Sequence, residues 1–129
     1  MSAEDTVHEY YEALRRGEPL YPYFLEDGAT WKAAISTAYE GYDTVAEALR
    51  DQTKSTDEWT VESAGATVTT RGDGSYALFH DDVHLGWTDT STGQRWGFDT
   101  RWSGVLECID EADQEWQFVQ LHVSAPHDI

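Results

Sequence analysis

The spacing of apolar residues predicts a helix at the start of the chain. Apolar side chains recur at i, i+3, i+4 and i+7, which places them along one helix face; they are Val7, Tyr10, Tyr11 and Leu14. Ser2 and Asp5 have the spacing of a near-capping box, and Gly17 is a typical helix end. The pattern therefore predicts one amphipathic helix between about residues 2 and 17.

Shorter elements follow this helix. Residues 19–28 predict a helical turn that opens at a proline, and residues 29–33 predict a short strand. The stretch 34–42 is ambiguous, although Tyr39 and Glu40 could form a second short strand. Asp43 or Thr44 is then expected to cap another helix, whose buried side is Val45, Ala48 and Leu49.

From about residue 57 the apolar period changes to two, which is typical of strands. Alternation runs from 57 to 68 and is followed by predicted strands at 76–88, 94–108 and 115–124. Turns are expected at 71–74, 90–93 and 109–114, and Pro126 is expected to end the last strand. Helices followed by strands predict an α+β fold, with the helices packed on a curved, mainly antiparallel sheet that leaves a pocket on its inner face.

Composition supports one domain and limits its partners. The 129 residues, 40% hydrophobic and 13% aromatic, suit a single domain over residues 1–129 with a real core. A formal net charge of -17 argues against nucleic acid or an anionic membrane as partner. The chain has no long apolar run and no recognisable signal peptide, and its one cysteine, Cys108, fits a reducing compartment, so a cytoplasmic location is expected.

The acidity has a distinctive form. Acidic residues are spread along the whole chain, and only Lys32 and Lys54 are lysines. High salt would screen the self-repulsion of such a surface, so we expect a protein from a salt-loving microbe. An ordinary acidic protein is the alternative.

Three segments resemble a known family. They are the Glu40-Gly41 step, residues 100–106 (TRWSGVL) and the ending 115–124 (EWQFVQLHVS). Together with the order of elements they resemble the SnoaL-like branch of the NTF2-like superfamily, and the ending also resembles the association domain of calcium/calmodulin-dependent kinase II. The resemblance implies a cone-shaped α+β fold, usually dimeric through the outer sheet face. Its members include cyclases, steroid isomerases, dehydratases and non-catalytic domains, so function must be argued from the site.

His80, Asp82 and His84 share one face of the strand at 76–88, because side chains alternate. As a catalytic site, Asp82 is the general base, His84 its proton partner and His80 a ligand contact. A metal is not expected, since His80 and His84 lie about 13 Å apart along a strand. The alternative is that these three face solvent or a partner subunit, with the opposite set buried: Ala77, Phe79, Val83, Leu85 and Trp87.

Arg101 is the strongest ligand-binding candidate. It lies mid-strand, where an unpaired guanidinium would be costly, and the resembling association domain has a pocket-facing arginine at the matching step. Such an arginine would bind a carboxylate or an enolate. Alternatively, Asp82 or Asp99 pairs with it.

Aromatic residues are expected at the lid and rim of the pocket, where Tyr11, Trp31 and Tyr39 are candidate ligand contacts. Plain core packing is the alternative for each. Between Trp31 and Tyr39, where the resemblance would place an isomerase-type base, no acidic residue occurs.

A homodimer is expected through the outer sheet face, because strand alternation leaves an outward set too apolar for water; this set is Trp102, Leu106, Phe118 and His122. The predicted function is binding of a small, partly apolar organic molecule, an acidic one if Arg101 contacts it. Any catalysis would be isomerase-, cyclase- or dehydratase-type proton transfer without a cofactor. A non-catalytic dimerisation or scaffold domain is the alternative.

Overall fold

A computed structural model of the chain describes residues 2–33, 37–110 and 115–125. It contains helices α1 (Ala3–Arg16) and α2 (Tyr42–Ser55), with short 3-10 turns at Tyr21–Tyr23 and Gly72–Gly74. The strands are β1 (Thr30–Ala33), β2 (Thr37–Glu40), β3 (Thr56–Ser63), β4 (Thr67–Arg71), β5 (Tyr76–Asp89), β6 (Arg95–Asp110) and β7 (Glu115–Ser124). Two helices pack on one curved, mostly antiparallel sheet that does not close, which confirms the predicted α+β class.

The ends of α1 follow the sequence closely. The Asp5 amide donates to Ser2 Oγ at 3.1 Å, and the Ser2 amide donates to Asp5 Oδ2 at 3.0 Å, forming a complete capping box. Gly17 ends the helix with φ 68°, a left-handed conformation that glycine adopts at low cost. The predicted apolar stripe is buried.

Helix α2 starts earlier than predicted, because its N-cap is Gly41 and no side chain caps it. Gly41 has φ 87°, and its amide donates to the Ala29 carbonyl at 2.9 Å. This bond ties the start of the helix to the chain just before β1. Neither Asp43 nor Thr44 therefore serves as the cap, and Ala46 is buried where Ala48 was expected.

The sheet has the order β2-β1-β7-β6-β5-β3, with β4 pairing beside β3 on the same edge of β5. Strand β1 is parallel to β7, and the other pairs are antiparallel. The alternation predicted over 57–68 is thus two strands, because the chain leaves β5 after Ser63 and returns at Thr67. The break lies beside Asp81 and Asp82, whose own strand continues without interruption.

The long strands lie within a few residues of their predicted bounds. Parts of the ambiguous stretch 34–42 and of the turn 109–114, namely 34–36 and 111–114, lie outside the described residues, as does Pro126. The β2 strand at Thr37–Glu40 confirms the second short strand proposed around Tyr39.

The buried face of the sheet is set by strand alternation. On β5 it carries Ala77, Phe79, Asp81, Val83 and Leu85, and on β6 it carries Thr100, Trp102, Gly104 and Leu106. Gly104 permits close strand packing, since a Cβ atom there would lie 2.5 Å from the Gln120 carbonyl oxygen and 2.8 Å from the Phe79 ring. Helix α1 covers this face with Tyr10 and Tyr11, so the core lies between α1 and the inner side of the sheet.

A bulge in β7 overturns the predicted outward face. The pairing with β6 shifts between Val105–Gln120 and Leu106–Phe118, which leaves Val119 as an extra residue. Phe118 and Leu121 therefore both point inward, each fully buried. His122 keeps the outward position expected of it, since its β6 partner is the exposed Ser103.

The predicted interface set is consequently wrong for three of its four members. Trp102, Leu106 and Phe118 are 3%, 0% and 0% exposed within a single chain, so they form the core and cannot supply a subunit contact. Uninterrupted alternation had placed Phe118 with His122, and the bulge separates them. Leu106 and Trp102 follow Phe118 inward because they project from the same face of the sheet.

Candidate functional site

A carboxylate lies inside the core at the middle of β5. Asp81 is 4% exposed. The Tyr11 hydroxyl donates to its Oδ2 atom at 2.7 Å, and the Ser63 hydroxyl donates to the same oxygen. The other oxygen, Oδ1, is buried and has no hydrogen-bond partner among the residues that the structure describes. Buried polar atoms are nearly always paired, so this bare oxygen marks a candidate site.

Three elements bring these groups together. Alternation along β5 turns Asp81 inward, and α1 lays Tyr11 across the same face. Ser63 is the last residue of β3, at the point where that strand separates from β5. The site therefore lies where the sheet edge changes from β3 to β4, beneath the helix.

Aromatic rings form the wall beside the carboxylate. The Trp102 ring packs edge-to-face on Tyr11, with centroids 5.3 Å apart, and on Tyr10, with centroids 5.9 Å apart. Trp102 Nε1 donates to Thr100 Oγ1 at 2.9 Å, and the Thr100 hydroxyl donates to the Val83 carbonyl at 2.6 Å. This chain satisfies the buried polar groups of the wall and fixes the indole, so the surroundings of Asp81 are apolar and ordered.

Burial keeps Tyr11 protonated. Removal from water raises the pKa of Tyr11 well above its usual range, and the hydrogen bond to Asp81 and the Asp81 charge raise it further, while Arg15 opposes them. Burial likewise raises the pKa of Tyr10. Tyr11 thus remains a hydrogen-bond donor to the carboxylate at any physiological pH.

Arg15 holds the end of α1 against the sheet near the site. Its Nε and Nη2 atoms donate to the Val61 carbonyl at 3.1 and 2.6 Å, and it also pairs with Glu12. Among the described residues no basic side chain forms an ion pair with Asp81. The carboxylate is therefore supported by two hydroxyl groups and by no cation.

The predicted catalytic pair lies on the other face of the sheet. Asp82, His84 and His80 are all exposed, while the residues between them are buried. His84 Nδ1 lies 2.8 Å from Asp99 Oδ1. The orientation that the sequence analysis gave as the alternative, with Val83 and Leu85 inside, is the one observed.

Arg101 lies on this outer face too, exposed, directly across from Asp82 in the β5–β6 register. The prediction that it points inward is wrong, because it depended on Trp102 pointing outward. Within the described ranges Arg101 forms no ion pair, with either Asp82 or Asp99. A role in ligand binding for Arg101 or for His80 stays a prediction, now located on the outer surface.

The predicted aromatic contacts separate into two places. Trp31 and Tyr39 stack on each other across β1 and β2, with centroids 5.3 Å apart. Trp31 is buried and Tyr39 half-buried. Tyr11 is the predicted site residue that the structure joins to Asp81.

Asp81 and Ser63 are the site residues that the sequence analysis missed. A signal for Asp81 was present, since it is an acidic residue within the apolar set that alternates along residues 77–85. The adjacent Asp82 lies between two histidines in the alternating set that faces outward, and the prediction selected that set instead. Ser63 carried no comparable signal, because its position depends on where β3 leaves the sheet.

The described residues contain neither a metal-binding cluster nor a membrane-spanning helix. No group of three or more His, Cys, Asp or Glu side chains within the described ranges is arranged to hold a metal ion. None of the helices in the described part of the chain is long and apolar enough to cross a membrane.

The fold matches many solved structures at low sequence identity. An NTF2-like protein from Streptomyces avermitilis, provisionally named a dehydratase, superposes with a TM-score of 0.84 at 15% identity, covering 98% of this chain and 95% of that one. A ketosteroid isomerase-like protein from Erwinia carotovora atroseptica gives 0.76 at 16% identity, covering 97% and 94%. An NTF2-like superfamily protein from Salmonella enterica gives 0.79 at 18% identity, covering 96% and 88%.

At these identities the structural matches establish the fold alone. No curated protein matches the sequence. The model of the SnoaL-like domain matches residues 3–128, nearly the whole chain. The chain therefore belongs to the SnoaL-like family.

Proposed function

We propose that this protein binds a small, partly apolar organic molecule between α1 and the inner face of the sheet, and that Asp81 transfers a proton on it without a cofactor. The observation that carries the proposal is the bare Oδ1 atom of a carboxylate whose other oxygen accepts two hydroxyl bonds. Such an arrangement orients the carboxylate and leaves one oxygen free to meet a ligand.

The chemistry that suits this arrangement is proton abstraction beside a carbonyl group. Asp81 Oδ1 would accept a proton from that carbon, leaving an enolate, and would then return the proton to a different atom of the same molecule. Return to the γ carbon isomerises an enone, while return to a departing β hydroxyl group releases water. Both reactions agree with the dehydratase and isomerase-like names of two structural neighbours.

Tyr11 and Ser63 are positioning residues in this proposal. Both donate to Oδ2, so they direct the remaining lone pairs of the carboxylate toward the ligand. The Trp102 wall supports the apolar part of the molecule and lowers the local dielectric constant, which strengthens each polar interaction in the site.

Two adjacent aspartates supply a matched test. Asp81→Asn removes the proton acceptor from the interior, while Asp82→Asn makes the same change on the exposed face. A panel of β,γ-unsaturated and β-hydroxy cyclic ketones in deuterated buffer would report proton transfer as deuterium incorporation, followed by NMR. We expect Asp81→Asn to lower the rate at least about a hundredfold and Asp82→Asn to leave it unchanged. Equal rates for Asp81→Asn and the natural protein would contradict the proposal.

A non-catalytic role is the second candidate, and the aromatic packing favours it. Tyr10 contacts Phe118, Phe24 and Tyr23 in addition to Trp102, so side chains already occupy much of the interior. A panel that neither reacts nor shifts the melting temperature of the natural protein would favour this role.

We also propose that two copies pair through the outer sheet face. Tyr76 and Leu78 are 40% and 43% exposed there, and Val105 lies across from Leu78. A two-fold contact would cover this patch with its own copy. Leu78→Glu should convert a dimer into a monomer in light scattering at high salt, whereas Thr44→Glu, at an exposed position on α2, is the control. A monomeric natural protein would refute the pairing.

A further inference from the structure

Four aromatic rings lie on the inner face of the sheet near the turn that joins β5 to β6. This aromatic strip consists of Trp59, Trp87, Phe98 and Trp96. Successive ring centroids are 5.0, 5.6 and 6.1 Å apart, and the successive planes differ by 27°, 31° and 11°. The rings therefore form one continuous row.

The exposed fraction of the inner-face side chains increases toward the aromatic strip. Trp87 and Trp96 are cross-strand partners, so they project from the same side of the sheet. Along β5 the exposure rises from 1% at Val83 to 7% at Leu85, and Trp87 is half-buried. Trp96 is 38% exposed. The row therefore begins at the core and ends in water.

A bulge in β3 positions the first ring of this row. Glu58 has φ +53°, a left-handed conformation that is unfavourable for a residue with a side chain, and it lies in a β3 bulge next to Trp59. Trp59 Nε1 donates to Thr56 Oγ1 at 2.9 Å, which fixes the indole. The bulge and the indole hydrogen bond together position the Trp59 ring against Trp87.

An arginine on the opposite face secures the same bulge. Arg95 donates to the Glu58 carbonyl and, at 2.8 Å, to Thr60 Oγ1. A Cβ atom at Gly86 would lie 2.9 Å from Arg95 Nη2, so this glycine leaves room for the guanidinium. The hydrogen bonds of Arg95 on the outer face thus support the aromatic strip, and its rings remain partly exposed to solvent.

Charge favours a cation as its ligand. Strands β3, β5 and β6 contain nine acidic residues and two arginines. Both arginines lie on the outer face, as do Glu62, Asp82, Asp99 and Glu107, so no basic side chain of these strands lies on the face that carries the strip. The whole chain has a formal net charge of -17. Aromatic faces attract cations, tryptophan most strongly, and a negative surface raises the local concentration of cations.

We propose that the aromatic strip binds an organic cation with an apolar body, of the quaternary ammonium class. The apolar body would contact the half-buried rings, and the positive charge would lie against Trp96 at the solvent end. This site is separate from Asp81 and does not depend on the proton-transfer proposal, because six residues of β5, about 20 Å, separate Asp81 from Trp87.

Choline is the probe, and its neutral carbon isostere, 3,3-dimethyl-1-butanol, is the comparison. Choline chloride would replace KCl at constant chloride concentration while tryptophan fluorescence is followed. We expect a saturable change with choline and at least about tenfold weaker binding of the isostere. Equal binding of the two compounds, or no saturable change with choline, would overturn the proposal.

Variants locate the site. Trp96→Leu should weaken choline binding at least about tenfold, whereas Trp96→Phe, which keeps an aromatic ring, should retain it in part. Tyr42→Leu is the matched control, since Tyr42 is a half-buried aromatic residue at the start of α2, away from the strip, and should be without effect. Circular dichroism confirms that each variant is folded. The proposal fails if Trp96→Leu binds normally, if Tyr42→Leu loses binding equally, or if Trp96→Leu instead dissociates a dimer.

Discussion

Asp81 and Asp82 are neighbours in the chain and belong to opposite faces of β5. Asp81 accepts two hydroxyl bonds inside an aromatic core, and Asp82 lies exposed across from Arg101. Among the described residues the inner face has few polar groups, and two of its buried polar atoms, Asp81 Oδ1 and Trp116 Nε1, have no hydrogen-bond partner. The outer face has many titratable groups, of which His84 and Asp99 are in contact.

A cluster of reactive residue types along a strand is therefore a weak guide to the position of a functional site. The outer face of β5 and β6 has more reactive residue types, including two histidines, two aspartates and two arginines. Solvent screens charges there and weakens each interaction. A carboxylate in the core lies among apolar groups, where each polar interaction is stronger.

The largest contrast between the faces should be in stability. Phe118→Ala removes a fully buried ring that contacts Tyr10, Phe24 and Phe79, and should lower the free energy of unfolding by about 3–5 kcal/mol. Gln120→Ala, two residues along and exposed, should change it by less than about 0.5 kcal/mol. Urea unfolding measures both. Similar losses for the two variants would mean that the bulge does not separate their faces.

Alkaline pH should reveal the buried tyrosines. Burial raises the folded-state pKa of Tyr10 and Tyr11 above the ordinary value of 10.0, so both gain protons relative to the unfolded chain. Their contribution is complete below pH 10 and declines as the pH rises above it, by about 1.4 kcal/mol per pH unit for each tyrosine.

Urea unfolding between pH 9 and 11 tests this expectation. Tyr11→Phe should make the stability fall less steeply with pH, by about 1 kcal/mol per unit between pH 10 and 11. Tyr10→Phe should act in the same direction, because burial raises the pKa of Tyr10 as well. A slope that Tyr11→Phe does not alter would show that Tyr11 ionises freely in the folded protein.

Salt should act on the exposed charges and leave the core unaffected. With a formal net charge of -17, molar KCl should screen repulsion and stabilise the fold by about 1 kcal/mol. For a domain of this size that corresponds to a melting temperature about 4 °C higher. Thermal melts in dilute buffer and in molar KCl decide the question. A melting temperature that does not rise with salt would exclude the halophilic interpretation.

The smallest effect concerns Arg101. The exposed guanidinium forms no ion pair in the described part of the chain, so Arg101→Ala should change the free energy of unfolding by less than about 0.5 kcal/mol. Arg15→Ala is the contrasting variant, because it removes two bonds to the Val61 carbonyl. A large loss of stability for Arg101→Ala would indicate a partner from a second subunit.

Local patterns predicted most of the fold. Apolar period, capping residues and turn glycines placed α1, β5, β6 and β7 within a few residues, because each of these signals depends on neighbouring residues alone. The break between β3 and β4 and the parallel pairing of β1 with β7 depend on long-range contacts. Alternation through Gly65 concealed the break, since the period of two continues on either side of it.

The site was harder to predict for a related reason. Alternation tells which residues share a face, and it does not tell which face is covered by α1. The prediction that Trp102 points outward also placed Arg101 on the inner face. Uninterrupted alternation put Phe118 outward with His122, which agreed with that prediction, but the bulge at Val119 turns Phe118 inward. Tyr11 was identified because helix periodicity places it on the buried stripe whichever face of the sheet lies beneath.

The extra residue Val119 also affects how relatives should be aligned. Without it, Phe118 and Gln120 would be consecutive, β7 would pair with β6 uninterrupted, and both residues would keep their faces. A one-residue gap at Val119 in a related sequence would thus mean that its last strand lacks the bulge and keeps the same positions in the core. An alignment without that gap would compare core residues with surface residues on one side of the bulge.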